Sequence, residues 1–353
     1  MKILADATLP NISCFFKPEA LTLYYNEATI PSLIDTHDVL LCRSTLKVTS
    51  KLLAETSIRC VATASSGTDH IDLAYLKSQG ITLIDAKGSN ARAVADYVTA
   101  SLAFLQREKL LPGFRAGVVG FGEVGSRVAL RLHAAELEVL YFDPFKALAD
   151  SHFSSTSIDA LTTCDLICIH ANLHDIQPFP SNNLFNYELL RRLKSNAVII
   201  NASRGNIVNE KALLSLNSPL VYCTDVYSNE PLLNAQLVDY ATLCTPHIAG
   251  HSIEAKQDAV VQVCQAIYRY FQLPVPRIDL PAAKTETISL KNNWQETILS
   301  LYNPLDDTQK LKRASDKKKA FLIQRQAHTT RHDFNKYAYK KSMTDPLSQL
   351  LGI

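Results

Sequence analysis

Three glycines carry the first piece of chemistry. Residues 117–125 read GVVGFGEVG, so Gly120, Gly122 and Gly125 fall in the order G-x-G-x-x-G. The apolar run before them predicts a strand, and Val124, Val128 and Leu132 behind them predict a helix. A strand–turn–helix of this kind receives a pyrophosphate. Gly120 allows the tight turn, Gly122 lets backbone approach the phosphates, and Gly125 lets the helix lie on the strand. The helix N-terminus then favours the negative charge. Asp143 closes the next apolar run 18 residues past Gly125, where its carboxylate could accept from an adenosine ribose. A carboxylate there repels a 2′-phosphate, so NAD is expected rather than NADP.

Further along, three apolar runs each end in a polar group. INASRGNIVNE (200–210) offers Arg204, whose planar fork of donors matches a carboxylate. DVYSNEP (225–231) offers Asp225 and Glu230, and TPHIAGHS (245–252) offers His247. Imidazole suits proton transfer near neutrality, and a neighbouring carboxylate orients it and favours its charged form. Any one of these residues alone reads as a surface group. Together, at the ends of successive strands, they form a constellation for moving a proton and holding an acid.

The elements that must position them follow from the hydropathy pattern. Short apolar runs at 2–5, 21–25, 39–42, 60–64 and 82–85 predict strands, separated by short helical stretches such as 48–54 and 73–79. A long helix is expected over 90–109, with Val94, Tyr97, Val98, Leu102 and Leu105 as its apolar stripe and Ser89 or Asn90 as its cap. Six further strands are expected at 117–120, 139–143, 166–170, 198–201, 221–225 and 243–245. Their nearly continuous apolar character suits parallel strands covered on both faces. A second long helix is expected over 254–271, followed by Pro274, Pro276 and Pro281. The expected fold is α/β, with two doubly wound parallel-sheet domains and a small α+β region after them.

Composition bounds the function. The chain has 353 residues, 47% hydrophobic and 20% charged, with a net charge of +2. That suits a soluble globular protein and excludes a largely disordered chain, a coiled coil or a collagen. No apolar run approaches the ~20 residues of a membrane helix, and MKILADATLP does not look like a secretory signal. Eight cysteines without a C-x-x-C read as reduced thiols of a cytoplasmic protein. No metal-ligating pattern is read. Residues 304–341 hold eleven Lys and Arg against four Asp, a local +7 that leaves −5 for the rest. Its apolar residues favour a packed tail with the charge on an outer face, rather than nucleic-acid binding.

The set GFGEVG, Arg204, Glu230 and His247, with GTDHIDL (67–73) and GSNARAVADYV (88–98), resembles the D-isomer-specific 2-hydroxyacid dehydrogenases. That resemblance implies a flavodoxin-like substrate (lid) domain at 1–92 and 254–278, and a Rossmann NAD domain at 93–253. It implies Arg204, Glu230 and His247 as catalytic residues. Gly120, Gly122, Glu123, Val124, Gly125, Asp143, Ala171, Ala202, Ser203, Arg204, Asp225 and Gly250 would serve the cofactor, with Asp225 on the nicotinamide amide. Ser44, Ser65 and His251 would contact substrate. MKILADATLP, CRSTLKV (42–48) and LYNPLDDTQKLKRA (301–314), with the F-x-x-x-R and D-F stretches behind it, resemble a narrower branch. That branch acts on a small phosphorylated hydroxy acid, and its members form homodimers through a C-terminal domain, here 279–353. Arg43 and Lys47 are the expected phosphate cations. Ala171, His251 and Tyr227 stand where the family pattern leads one to expect Thr, Tyr and Trp. The alternatives are a phosphoglycerate or glyoxylate/hydroxypyruvate type of dehydrogenase, and an NAD-sensing corepressor that reuses the scaffold. No membrane or nucleic-acid partner is expected.

Overall fold

Strands rich in Val, Ile and Leu form two parallel sheets, each buried on both faces. The computed structural model describes residues 1–278, 280, 286–327, 331–339 and 346–353. Asp279, Pro281, Lys340 and Lys341 lie outside the described residues. The chain divides into two compact units, 1–90 with 252–284 and 91–251 with 285–353.

In the first unit β1 (Ile3–Asp6), β2 (Leu21–Tyr24), β3 (Val39–Cys42), β4 (Cys60–Thr63) and β5 (Thr82–Ile84) pair in the order β2-β1-β3-β4-β5, all parallel. This is the flavodoxin-like order. The helix Ile253–Tyr270 covers one face, with Val260, Val263 and Ile267 against Ile3, Ala5, Val39 and Leu41. Ile30, Ile34, Leu53 and Leu76 cover the other. Ser252 caps that helix by accepting from Ala255 N at 2.9 Å.

In the second unit β6 (Arg115–Val119), β7 (Glu138–Phe142), β8 (Leu166–Ile169), β9 (Val198–Asn201), β10 (Val221–Thr224) and β11 (Leu243–Cys244) pair in the order β11-β10-β9-β8-β6-β7, again all parallel. The order reverses at β6, so the crevice between the carboxyl ends of β6 and β8 is a topological switch point, where α/β sheets bind ligands. The expected strands and both long helices form within two residues of their predicted limits; the first long helix runs Ala91–Arg107. Asn90 Oδ1 accepts from Ser66 Oγ at 2.8 Å, so that side chain ties a loop of the first unit.

The tail adds helices Trp294–Leu301, Pro304–Arg313 and Lys317–Ala327, and a short parallel pair, β12 (Glu286–Thr287) with β13 (Tyr337–Ala338). Ile298, Leu299, Phe334, Leu347 and Leu351 join the core on one face of the second sheet. Leu311 and Phe321 join the core on the other. At edge strand β11, Cys244 N donates to Thr308 Oγ1 at 3.0 Å, so the helix Pro304–Arg313 covers an edge that would otherwise present unpaired amides. The tail's charge does not all face outward. Arg331 is 5% exposed, and Asp307 and Asp333 are buried too. These charges are held by hydrogen bonds and ion pairs within the fold, which is the condition for burying them.

Candidate active site

The glycine turn has the shape the motif requires. Gly120 lies at φ +86°, and a Cβ on it would meet Ala171 N at 2.5 Å. The β6 turn therefore lies against the end of β8. A Cβ on Gly125 would fall 2.0 Å from the Gly120 carbonyl oxygen. A Cβ on Gly122 would meet nothing within 4 Å. The helix Glu123–Ala134 starts there without a side-chain cap, so no side chain of the turn takes the place that a pyrophosphate would fill. Glu123 pairs with Arg127 at 2.7 Å on the surface, so its backbone is what the turn can offer a phosphate. Val124 packs against the core. Asp143 accepts from Phe121 N at 2.8 Å and Lys146 N at 3.0 Å. A carboxylate has about four acceptor positions, which leaves capacity for ribose hydroxyls.

Ala171, Ala202 and Ser203 follow β8 and β9, and Ser203 Oγ donates to the Ala171 carbonyl. With Gly120 they line the switch-point edge. His170, at the end of β8, has both ring nitrogens buried without a partner among the described residues. Burial holds its pKa down to about 3, so it stays neutral and brings no charge to the crevice.

On the same sheet edge, His247 Nδ1 lies 2.7 Å from Glu230 Oε2. A carboxylate accepts, so the ring proton lies on Nδ1 and leaves Nε2 as the base. Glu230 Oε1 accepts from Tyr227 N at 3.0 Å. Burial works to raise the Glu230 carboxyl, but the His247 ring, the Tyr227 amide and the Arg325 guanidinium outweigh it and hold it below the usual range. Glu230 therefore stays ionised.

Arg204 follows β9, and its Nη1 donates to the Ser203 carbonyl at 2.8 Å. The next residue joins it to the dyad's loop. A Cβ on Gly205 would lie 2.0 Å from the Tyr227 carbonyl carbon and 2.3 Å from Ser228 N. Glycine is required because the backbone carrying Arg204 lies directly on the backbone leading to Glu230. The loops bearing the guanidinium, the carboxylate and the imidazole thus meet at one edge.

Asp225 has a task the sequence pattern did not reveal. It is 1% exposed, and it accepts from Thr245 Oγ1 at 2.7 Å, Ile248 N at 2.8 Å and Ala249 N at 2.8 Å. Burial pushes its carboxyl up, and His247 with these donors pulls it back. This lattice holds His247 in the left-handed region at φ +56°, an uncommon conformation for a residue with a side chain. Gly250 and His251 complete the loop, whose His251 N donates to the Ile248 carbonyl at 2.9 Å.

In the first unit Arg43 and Ser44 follow β3, and Ser65 follows its neighbour β4. Arg43 Nε donates to Asp6 Oδ2 at 2.8 Å, while Lys47 is exposed. A cation that sequence reasoning missed is Lys256, in the first turn of the helix Ile253–Tyr270. Burial and the nearby Arg43 charge hold its ammonium below its ordinary value. No motif singled it out, because its proximity to Arg43 spans more than two hundred residues. GTDHIDL forms a structural turn, in which Asp72 caps the helix Leu73–Ser78.

Residues 93–249 match the family model described as D-isomer specific 2-hydroxyacid dehydrogenase, NAD binding domain. The chain is 51% identical over 338 residues to an erythronate-4-phosphate dehydrogenase of Legionella pneumophila, covering 96% of both chains. The chain belongs to the erythronate-4-phosphate dehydrogenase branch of the D-isomer specific 2-hydroxyacid dehydrogenases. A dehydrogenase of the same name from Coxiella burnetii is 35% identical over 320 residues, 88% of this chain and 87% of that one. Solved structures share the fold. An NAD-dependent formate dehydrogenase from Staphylococcus aureus in complex with NAD has a TM-score of 0.63 at 22% identity, covering 80% of this chain and 100% of that one. A cofactor-bound 3-phosphoglycerate dehydrogenase from Entamoeba histolytica has 0.64 at 21%, covering 77% and 95%.

Residues 93–249 of the second unit are accordingly the NAD-binding domain of a 2-hydroxyacid dehydrogenase, and the protein is an NAD-dependent oxidoreductase. Where the family pattern led one to expect Trp, Tyr227 keeps the aromatic packing and adds a hydroxyl that donates to the Thr245 carbonyl at 3.1 Å. Among the described residues no helix is long and apolar enough to cross a membrane.

Proposed function

We propose that the protein oxidises 4-phospho-D-erythronate to (R)-3-hydroxy-2-oxo-4-phosphooxybutanoate with NAD, a step toward pyridoxal 5′-phosphate. The observation that carries this reading is the 2.7 Å pair of His247 Nδ1 and Glu230 Oε2, in a chain 51% identical to an erythronate-4-phosphate dehydrogenase. Arg204 holds the substrate carboxylate and the oxygen at C2. His247 Nε2 takes the C2 hydroxyl proton, and ionised Glu230 steadies the imidazolium that results. NAD at the glycine turn supplies the hydride acceptor. Ala202, Ser203, Asp225 and Gly250 border the nicotinamide, and Asp143 accepts from the adenosine ribose. Ser44, Ser65 and His251 contact the substrate.

The phosphate calls for cations. Arg43, Lys256 and Lys47 are the candidates, with Arg43 and Lys256 supported by their mutual proximity. Arg43→Ala raises KM for the phosphorylated acid by about tenfold or more, the loss of a charged hydrogen bond, and leaves KM for NAD unchanged. Steady-state kinetics with each substrate varied separately reads this, and equal rises in both constants would remove the assignment.

The function itself is tested by following NADH formation with purified protein and 4-phosphoerythronate beside 3-phosphoglycerate and a glyoxylate/hydroxypyruvate assay. A preference for either alternative overturns the substrate assignment, and no turnover with any of them favours a corepressor-like protein. We further infer a cytoplasmic homodimer formed through the C-terminal residues. All eight cysteines are free, and Leu322 and Ile323 are exposed on the helix Lys317–Ala327. A monomer in sedimentation velocity would refute the dimer.

A further inference from the structure

We propose that the C-terminal helix Lys317–Ala327 and the described residues 331–334 are a working part of the catalytic apparatus of their own chain. In this reading Arg325 is a positioning residue for the Glu230–His247 dyad, and Arg331 fixes the loop that carries His247. The inference rests on the reading of that dyad as the acid/base.

Phe321 and Arg325 are four residues apart on the helix Lys317–Ala327 and so share one face. Phe321 is buried, and its ring meets Tyr227 edge-on at 6.0 Å. Tyr227 is the residue whose amide holds Glu230 Oε1. One turn further along the helix, Arg325 Nη1 lies 4.0 Å from Glu230 Oε2, the oxygen that also bonds His247. The aromatic contact thus sets the helix against the dyad's loop, and the guanidinium lies beside the dyad's carboxylate.

A second contact is independent of the first. Arg331 Nη2 donates to the Ala249 carbonyl at 2.7 Å and to the Ala93 carbonyl at 3.2 Å, and Nε donates to the His251 carbonyl at 3.1 Å. Its guanidinium lies over the Tyr302 ring at 4.6 Å. The segment is tied down beyond it, where Phe334 N donates to Asp96 Oδ2 at 2.8 Å. Asp96 in turn pairs with Arg131. Asp225 therefore holds the 247–251 loop through its amides, and Arg331 holds it through its carbonyls. A loop with its key residue at positive φ needs support from both sides.

Charged and titratable groups around the dyad come from several elements. Asp225 lies beneath the loop, Glu210 accepts from Ser228 N, and Arg204 stands on the adjoining loop. Tyr227 is itself flanked by Tyr97 and Cys244. Arg325 is the cation placed on the Glu230 oxygen that His247 uses. A cation there opposes uptake of a proton by the pair. Removing it lets the pair keep a proton to higher pH, and the base form needed for oxidation then appears later in a titration.

The experiment is the kcat/KM pH profile of the full-length Arg325→Gln enzyme, with Arg325→Lys as the conservative partner and His247→Gln alongside. Arg325→Gln is expected to move the acidic limb up by about 0.5–1 pH unit and to lower kcat by about 5–20-fold, with NAD affinity and Tm unchanged. Arg325→Lys restores the limb. Arg331→Lys, which cannot span three carbonyls with a planar fork, lowers kcat while KM for NAD holds. A profile of Arg325→Gln that superimposes on the parent overturns the proposal. So does a uniform loss at every pH accompanied by a lowered Tm, the mark of a merely structural residue. If Arg325→Gln does not fold, Arg325→Met takes its place: an acidic limb moved up supports the proposal, and a limb that superimposes on the parent counts against it. An active His247→Gln removes the dyad reading itself, and an inactive one beside an unshifted Arg325→Gln profile removes only the role given to Arg325.

Discussion

Replacing His247 by Gln lowers turnover by about 10²–10⁴-fold and leaves NAD affinity within about twofold of the parent. The expectation follows from where the side chain lies. His247 donates to Glu230 through Nδ1 and turns Nε2 outward as the base, while the cofactor turn at Gly120–Gly125 belongs to other loops. Gln matches the imidazole in reach but has no lone pair of suitable basicity, so it can bond the substrate hydroxyl without accepting its proton. The backbone at residue 247 is held by its own amide, which donates to the Asp225 carbonyl at 2.8 Å, and this contact survives the substitution. Single-turnover kinetics and quenching of protein fluorescence by NAD separate the two effects. Normal turnover in the variant would mean that another group moves the proton.

A pair of glycine substitutions carries the second large effect, because the structure gives them opposite causes. Gly125→Ala drives a Cβ to 2.0 Å from the Gly120 carbonyl oxygen and 3.2 Å from Val118 Cγ1. Helix and strand must separate, at a cost of about 1–3 kcal/mol, and both Tm and NAD affinity fall. Gly122→Ala meets no protein atom within 4 Å, so Tm holds. Its methyl nevertheless enters the open space beside the uncapped start of the helix Glu123–Ala134. Loss of charged hydrogen bonds there, about 1.5–3 kcal/mol, weakens NAD by about 10–100-fold. Differential scanning fluorimetry and calorimetric titration read the two quantities. A Gly122→Ala protein that binds NAD like the parent would mean that the turn does not cradle the phosphates.

The sequence pattern exposed most of the scaffold, because parallel strands buried on both faces appear as continuous apolar runs and turns as glycine or proline. Gly120, Gly122 and Gly125 are legible in the same way, since their requirement is local backbone geometry. Asp225 and Arg331 were not legible. One reads as a strand-end acid and the other as part of a basic tail, yet each holds the 247–251 loop by bonds to backbone groups, which have no residue type to recognise. The +7 of the tail hid Arg331 for the same reason. Net charge says nothing about which guanidinium finds buried carbonyls, and here Arg331 does.

Residue types and order alone determined that this chain folds as doubly wound α/β units, that it presents a dinucleotide turn, and that Arg204, Glu230 and His247 each follow one of three successive strands. Tertiary structure alone decided that Gly205 brings the arginine loop onto the dyad's loop, and that Phe321 carries Arg325 to Glu230. The difference has a physical root. Hydrophobic periodicity and turn chemistry act over a few residues and leave their mark in order, whereas a contact across a hundred residues depends on how finished elements pack, which no local pattern encodes.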